Sequence, residues 1–509
     1  MPATLSHTIQ RQEVLIQAPD LAVARQVRQQ AEQLCRGPVA AALDKILSAA
    51  VAPDQVLRID RLTLDLNISS PERFEAEFLP GVERALRAAL EKLGEFRAHP
   101  ATGLPAAALS HQYLPLAAAQ QELLAFFLRS GRLPAWAQPE AADRLDAILS
   151  DVLDQNASDL RSWLGSLLKD PIVRRRLARQ FPPEIIDRIA ALLWHQTPGA
   201  VGRTVARLEQ RIQARRPCQP HAAPMREMVW EALLTLMAAA PDGRFDLDAL
   251  EARVLSGWPA ETGAQKTVDA EHHQTPLPEG RKISSAKLAA SPDSPTPDDL
   301  APGQPTIPDP ALLSSASSET EAVIEKHSLH SEAREPDVFN DAAPALAAIH
   351  NAGLVLLWPY LGRFFASLEL TSAHGFIDMD AAERAVHLLQ YLAWNSTESA
   401  EPHLLLNKIL CGLPPETPVP RGALLTETEK LACAELLAAV IAHWHALKST
   451  SVSGLRTTFL QRFGLLSQAQ GRWHLRVERQ AFDLLLDRLP WGIAAIKLSW
   501  MPKLLSVEW

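Results

Sequence analysis

The chain has 509 residues, 47% of them hydrophobic and 21% charged, and a formal net charge of -9 at pH 7. That length implies roughly two to four folding units of ordinary globular composition, and the acidic balance argues against a nucleic-acid binder, which would carry a basic stripe. The four cysteines, Cys35, Cys218, Cys411 and Cys433, are too scattered for a disulfide framework or a close-spaced zinc site; no signal peptide and no apolar run of about 18 residues points to export or a membrane span.

In chain order, residues 8–18 have strand character, with Ile9, Val14 and Ile16 among polar neighbours. A helix is expected over 21–50. The clearest strand covers 56–66. There Leu57 and Ile59 alternate with Arg58 and Asp60, and then Leu62, Leu64 and Leu66 alternate with Thr63 and Asp65. The phase slips by one residue at Arg61, which predicts a bulge near Asp60 and Arg61, because a period-two strand cannot hold both sets on one face. Ser70, Pro71 and Glu72 supply an N-cap, a first-turn proline and an acidic first turn for a helix to about Leu93. Residues 1–95 thus read as a β-α-β-α unit.

Residues 115–259 read as an array of short helices with proline-marked turns. Leu123, Leu124, Phe127 and Leu128 share one face, and Gly131 and Pro134 close that helix. A second helix is expected over 140–154. Leu160, Trp163, Leu164 and Leu167 keep helical spacing up to Pro171, and Pro182 and Pro183 open a helix with Ile185, Ile186, Ile189 and Leu192 inward. Arg174, Arg175, Arg176 and Arg179 form a basic cluster, and Arg203, Arg207, Arg211 and Arg215 would share a helix face. Such arginines form a solvated or protein-contact stripe, or, against the acidic balance of the chain, a nucleic-acid contact.

Residues 260–338 change character. No aromatic residue lies between Trp258 and Phe339, and Pro276, Pro278, Pro292, Pro295, Pro297, Pro302, Pro305, Pro308 and Pro310 alternate with serine, threonine and aspartate. A segment with so little apolar area to bury is expected to be a disordered linker, with His272 and His273 as part of its composition. Residues 339–509 are expected to form an aromatic-rich, mainly helical domain. Leu354, Leu357, Leu361, Phe364, Phe365 and Leu368 have helical spacing, with a break at Pro359. Further helices are expected over 381–394 and from a capping box at Thr426 and Glu429 through Trp444. Strands are expected over 471–477, 493–500 and 504–509. The fold class is therefore mainly α with minor β.

Two constellations look chemical. His443 and His445, placed on one helix, would point about 200° apart and could not share a metal. Asp483 and Asp487 sit one turn apart, but Arg479 and Arg488 nearby make ion pairing the simpler account. No G-x-S-x-G, phosphate loop, G-x-G-x-x-G or H-E-x-x-H is present. No catalytic, cofactor-binding or metal-binding residue is assigned. Tryptophan gathers toward the end of the chain, as core or as interface; Trp358, Trp491, Trp500 and Trp509 are the candidate protein-interface residues.

Several longer runs resemble one family. They are Asn351-Ala-Gly-Leu-Val-Leu-Leu-Trp-Pro-Tyr360, Glu383-Arg-Ala-Val-His-Leu-Leu-Gln-Tyr-Leu392, Leu406-Asn-Lys-Ile-Leu-Cys-Gly-Leu-Pro414, Leu486-Asp-Arg-Leu-Pro-Trp-Gly-Ile493, Ile496-Lys-Leu-Ser-Trp-Met-Pro502 and Val507-Glu-Trp509. Upstream, His7-Thr-Ile-Gln-Arg11, Ile59-Asp-Arg-Leu-Thr-Leu-Asp-Leu66 and Phe127-Leu-Arg-Ser-Gly-Arg-Leu-Pro134 belong to the same pattern. The chain resembles the tape measure proteins of phage-tail-like contractile injection systems. The resemblance implies a structural assembly component that sets inner tube and sheath length. The alternative is an assembly adaptor or chaperone of the same particle that measures nothing. It also implies baseplate, spike and inner-tube proteins as partners, with self-association an open option, and no nucleic acid, membrane or cofactor. The expected location is the cytoplasm during assembly and then the particle. Fully helical, the chain would reach about 760 Å, yet sustained heptads are absent and the residues read as two compact regions around a linker.

Overall fold

The computed structural model describes residues 7, 9, 12–18, 20–52, 54–98, 111–155, 157–197, 199–215, 222–239, 247–257 and 347–509. The linker expected over 260–338 lies outside them. By contacts, Met1–Trp258 and Asp341–Trp509 belong to one compact unit, which the chain leaves after Trp258 and re-enters at Asp341.

The first strand expected, over 8–18, makes no ladder in residues 12–18. The Asp20 carboxylate accepts from Val23 N and opens α1 (Leu21–Leu34). A π-turn over Cys35–Val39 absorbs Pro38, which lacks an N–H, and α2 (Ala40–Ala50) continues, so the helix expected over 21–50 is present with one irregular turn. The strand β1 (Gln55–Ile59) ends where the hydrophobic phase slips. Asp60 bends and 61–68 run on without a ladder. The expected bulge is therefore a strand end: β1 pairs antiparallel with the five-residue β2 (His111–Pro115), and Ile59 opposite His111 is the last described pair. Leu62 and Leu64 still pack beneath the helices. A short 3-10 turn at Pro71–Arg73 leads into α3 (Phe74–Ala98), whose Phe74 and Phe78 rings stack at 4.8 Å.

Next come α4 (Leu116–Ser130), α5 (Leu145–Leu153), α6 (Ala157–Leu167), α7 (Pro171–Gln180), α8 (Pro183–Leu193), α9 (Ala200–Arg215), α10 (Ala222–Ala239) and α11 (Leu247–Gly257). Pro171 and Pro183 sit in first turns, where the missing N–H costs no helix bond. Gly131 closes α4 at φ 72°. These helices share one apolar core running from Leu123 to Val254.

The last part carries β3 (Ala347–Ile349), a 3-10 segment over Ala352–Leu357 and α12 (Trp358–Ser367), which starts one residue before Pro359; the proline thus marks the break between the two helix types. A small hairpin, β4 (Thr371–Ser372) and β5 (Gly375–Phe376), precedes α13 (Met379–Trp394), α14 (Leu405–Leu410), α15 (Glu427–His443) and α16 (Val452–Leu455). The capping box at Thr426 and Glu429 is present. A hairpin of β6 (Gly464–Ala469) and β7 (Arg472–Val477) turns at Gln470 and Gly471, both at positive φ, as a two-residue turn requires. After β8 (Ala495–Ile496) comes β9 (Leu505–Glu508), and the sheet order is β3-β6-β7-β9-β8, with β7 and β9 parallel. The strand expected over 493–500 shrinks to two residues, because the chain turns at Leu498, whose carbonyl accepts from Met501 N. The core of this part runs from Ile349 to Val507 and is separate from the one before it.

Gly353 lies where two backbones touch: a Cβ there would sit 1.7 Å from Phe459 O, whereas one on Gly362, in α12, would meet nothing within 4 Å. Gly353→Ala is expected to lower unfolding free energy by about 3 kcal/mol or more, and Gly362→Ala to raise it by about 0.5 kcal/mol. Urea unfolding of the two variants checks both, and equal effects would contradict the packing described.

Candidate interaction site

The basic cluster on α7 has specific partners. The Asp170 carboxylate caps the helix by accepting from Ile172 N, so its arginines fan out from a firmly started turn. Arg174 donates to Leu168 O and Thr235 Oγ1, and Arg175 pairs with Glu231 at 3.3 Å. Arg176, fully buried, grips Glu401 through Nε–Oε2 at 2.8 Å and Nη2–Oε1 at 3.2 Å, and also donates to the carbonyls of Leu128 and Glu416. Arg179 bridges Glu227 at 3.3 Å and Glu383 at 2.6 Å, and Gln180 donates to Val419 O while accepting from Glu401 N. On α9, Arg203 and Arg207 are exposed and Arg211 pairs with Glu251. The protein-contact account of the α7 cluster is thus realised inside the chain.

The receiving side is built from 401–421. Glu401 lies at the start of a 3-10 turn that runs into α14, every residue of which is buried, Asn407 and Lys408 included. Lys408 Nζ donates to Glu401 Oε1 and, at 3.0 Å, to Pro415 O. Burial pushes the Lys408 ammonium below its ordinary range against the pull of Glu401. One carboxylate therefore serves two buried cations, and three backbone carbonyls each accept one further N–H from them. Outside this triad, Arg421 pairs with Asp146 at 2.6 Å, Arg421 N donates to Arg179 O, and His403 Nε2 lies 2.9 Å from Asp143. Gly131 closes the site from α4: a Cβ there would meet Glu401 Oε1 at 2.4 Å. Behind α14, Asn351 Nδ2 donates to Asn407 Oδ1 and His403 O.

The four candidate interface tryptophans are half-buried around the C-terminal core, each with its indole N–H engaged. Trp358 donates to Gly492 O, Trp491 to Leu356 O, Trp500 to Leu410 O and Trp509 to Asp483 Oδ2. Trp500 also meets the rings of Phe365 and Phe376 at tilted angles and lies against Gly375 and Gly412, both at positive φ. Asp483 pairs bidentately with buried Arg462, not with Arg479 or Arg488. Burial alone would raise the Asp483 pKa, but the Arg462 guanidinium and the N–H groups of Gln480 and Trp509 hold it below the ordinary value. His443 hydrogen-bonds Tyr360, while His445 donates to the His443 carbonyl. Among the described residues no cluster of three or more histidine, cysteine or acidic side chains could hold a metal, and no helix is long and apolar enough to cross a membrane.

Glu401, Lys408 and Gln180 were not singled out by the sequence reading. A signal existed for one: Lys408 interrupts an otherwise apolar helix beside Asn407, which marks a paired, buried charge. Nothing in the run 174–176 says which arginine faces inward.

The chain is helix-rich, and its buried polar side chains join segments far apart in sequence. Over residues 6–509 it matches the contractile injection system tape measure protein family, and it belongs to that family. No curated protein and no solved structure matches it. The runs that carry the resemblance meet in space: Leu128 and Gly131, Asn351, Glu383, Lys408 and Trp500 all line the contacts above.

Glu227 sets a pH test. Burial raises its pKa to about 7, against the pull of Arg179, with Glu383, Glu231 and Asp380 adding to the rise. The folded value stands above the ordinary 4.5, so this group stabilises most at low pH, and that contribution is lost as pH climbs from 4.5 through about 7. Glu227→Gln is expected to remove a stability loss on the order of 2 kcal/mol over that window. Parallel stability–pH curves for the two proteins would contradict it.

Proposed function

We propose that this chain is a non-catalytic assembly component that helps set tube and sheath length by docking as a compact unit on baseplate, spike or inner-tube proteins. It would do so in the cytoplasm, where the particle is built. The observation that carries this reading is the buried pair of Arg176 and Glu401, 225 positions apart in sequence. A ruler laid out along a tube would have to break it and unfold the two apolar cores on either side as well. The longest helix among the described residues, α3 with 25 residues, rises only about 37 Å. The exposed edges of Trp358, Trp491, Trp500 and Trp509 offer apolar area to a partner subunit. The second reading, an extended ruler, is favoured by the family name.

Deleting about half of residues 259–340 and measuring purified particles by electron microscopy separates the two. Compact docking predicts unchanged particle length, because the segment leaves and re-enters one unit. Shortening in proportion to the deletion would overturn it.

A further inference from the structure

We infer that the joint between the helical part, 111–257, and the C-terminal part, 347–509, is a separable latch that opens while both parts stay folded. This goes beyond the docking reading and does not depend on it. Each part closes its own apolar core, one made of residues between Leu123 and Val254 and the other of residues between Ile349 and Val507, and among the described residues no buried hydrophobic cluster crosses between them. The ion pairs and hydrogen bonds that cross are polar links between the two cores, beside a crevice to which Leu133, Ala142 and Leu405 contribute apolar surface. The Arg176–Glu401–Lys408 triad lies at the centre, flanked by Arg179–Glu383, Arg421–Asp146 and His403–Asp143.

Opening such a joint exposes charges that water solvates well and little apolar surface that water rejects. Desolvation offsets most of the Coulomb gain of a buried ion pair, so a seam of this kind is specific in geometry and low in net stability. A core in each half loses nothing when the seam parts. Opening therefore precedes global unfolding and yields two folded bodies on one chain, one of which can stay seated on a partner while the other moves during assembly.

Hydrogen exchange on the full chain tests this. The reporters are Arg421 N–H, which donates to Arg179 O, and Glu401 N–H, which donates to Gln180 Oε1. The controls are amides in β7 and α8. Sub-global opening predicts that the two seam amides exchange at least about 100-fold faster than the controls. In Glu401→Gln, which strips both cations of their carboxylate but keeps the side-chain shape, the seam amides are expected to quicken at least a further 10-fold or so with the controls unchanged. Arg421→Ala, at the partly exposed edge of the seam, gives the same pattern more weakly if Glu401→Gln does not fold. Seam and control amides exchanging at one common rate, in the wild type or in either variant, would overturn the latch.

Discussion

A single carboxylate, Glu401, sits without solvent contact between Arg176 and Lys408, and the placement of everything around it follows from that demand. Burying three charges is tolerable only when each lone pair and N–H has a partner. Arg176 reaches Leu128 O and Glu416 O, Lys408 reaches Pro415 O, and Glu401 N donates to Gln180. These partners tie α4, α7 and the segment 401–421 into one arrangement. Removing one member leaves an uncompensated buried charge, at a cost of about 3–5 kcal/mol. Apolar packing does not do this job, since the two cores are closed separately.

A second constraint is close approach. Gly131 lets α4 end against Glu401, Gly353 lets the 3-10 segment lie on Phe459 O, and Gly412 admits the Trp500 backbone. Around these contacts the half-buried tryptophans each spend the indole N–H on a carbonyl or carboxylate of a distant segment. Large apolar rings with one polar handle suit such positions, because the ring covers the core edge while the handle removes an otherwise unpaired acceptor.

The helices were legible because their signals are local. Prolines 171 and 183 begin helices, Gly131 ends one, and Thr426 with Glu429 form the capping box. The alternation of Trp473, Leu475 and Val477 located β7, and these three side chains are buried. What stayed illegible depends on partners far along the chain. Leu62, Leu64 and Leu66 alternate as in a strand, but no described segment pairs with them. Three-residue β3 becomes a strand only because β6 lies beside it. Asp483 turned to Arg462 rather than to the arginines nearest in sequence, because Arg462 is buried and has Trp509 stacked near its guanidinium. The ionic triad is the extreme case, with Arg176 and Glu401 separated by the whole segment that reads as a linker.

Membership of the tape measure family together with this joint describes an assembly protein whose sequence-distant halves meet through charge. Coupling between the two sides of the joint is the central claim, and a double-mutant cycle of Arg176→Met and Glu401→Met in the full chain, followed by denaturant unfolding, measures it most directly. A buried bidentate pair predicts a coupling of at least about 2 kcal/mol, over and above the loss from Lys408, which is left without its carboxylate in both the Glu401 variant and the double variant. Additive losses, with coupling within about 0.5 kcal/mol, would contradict it.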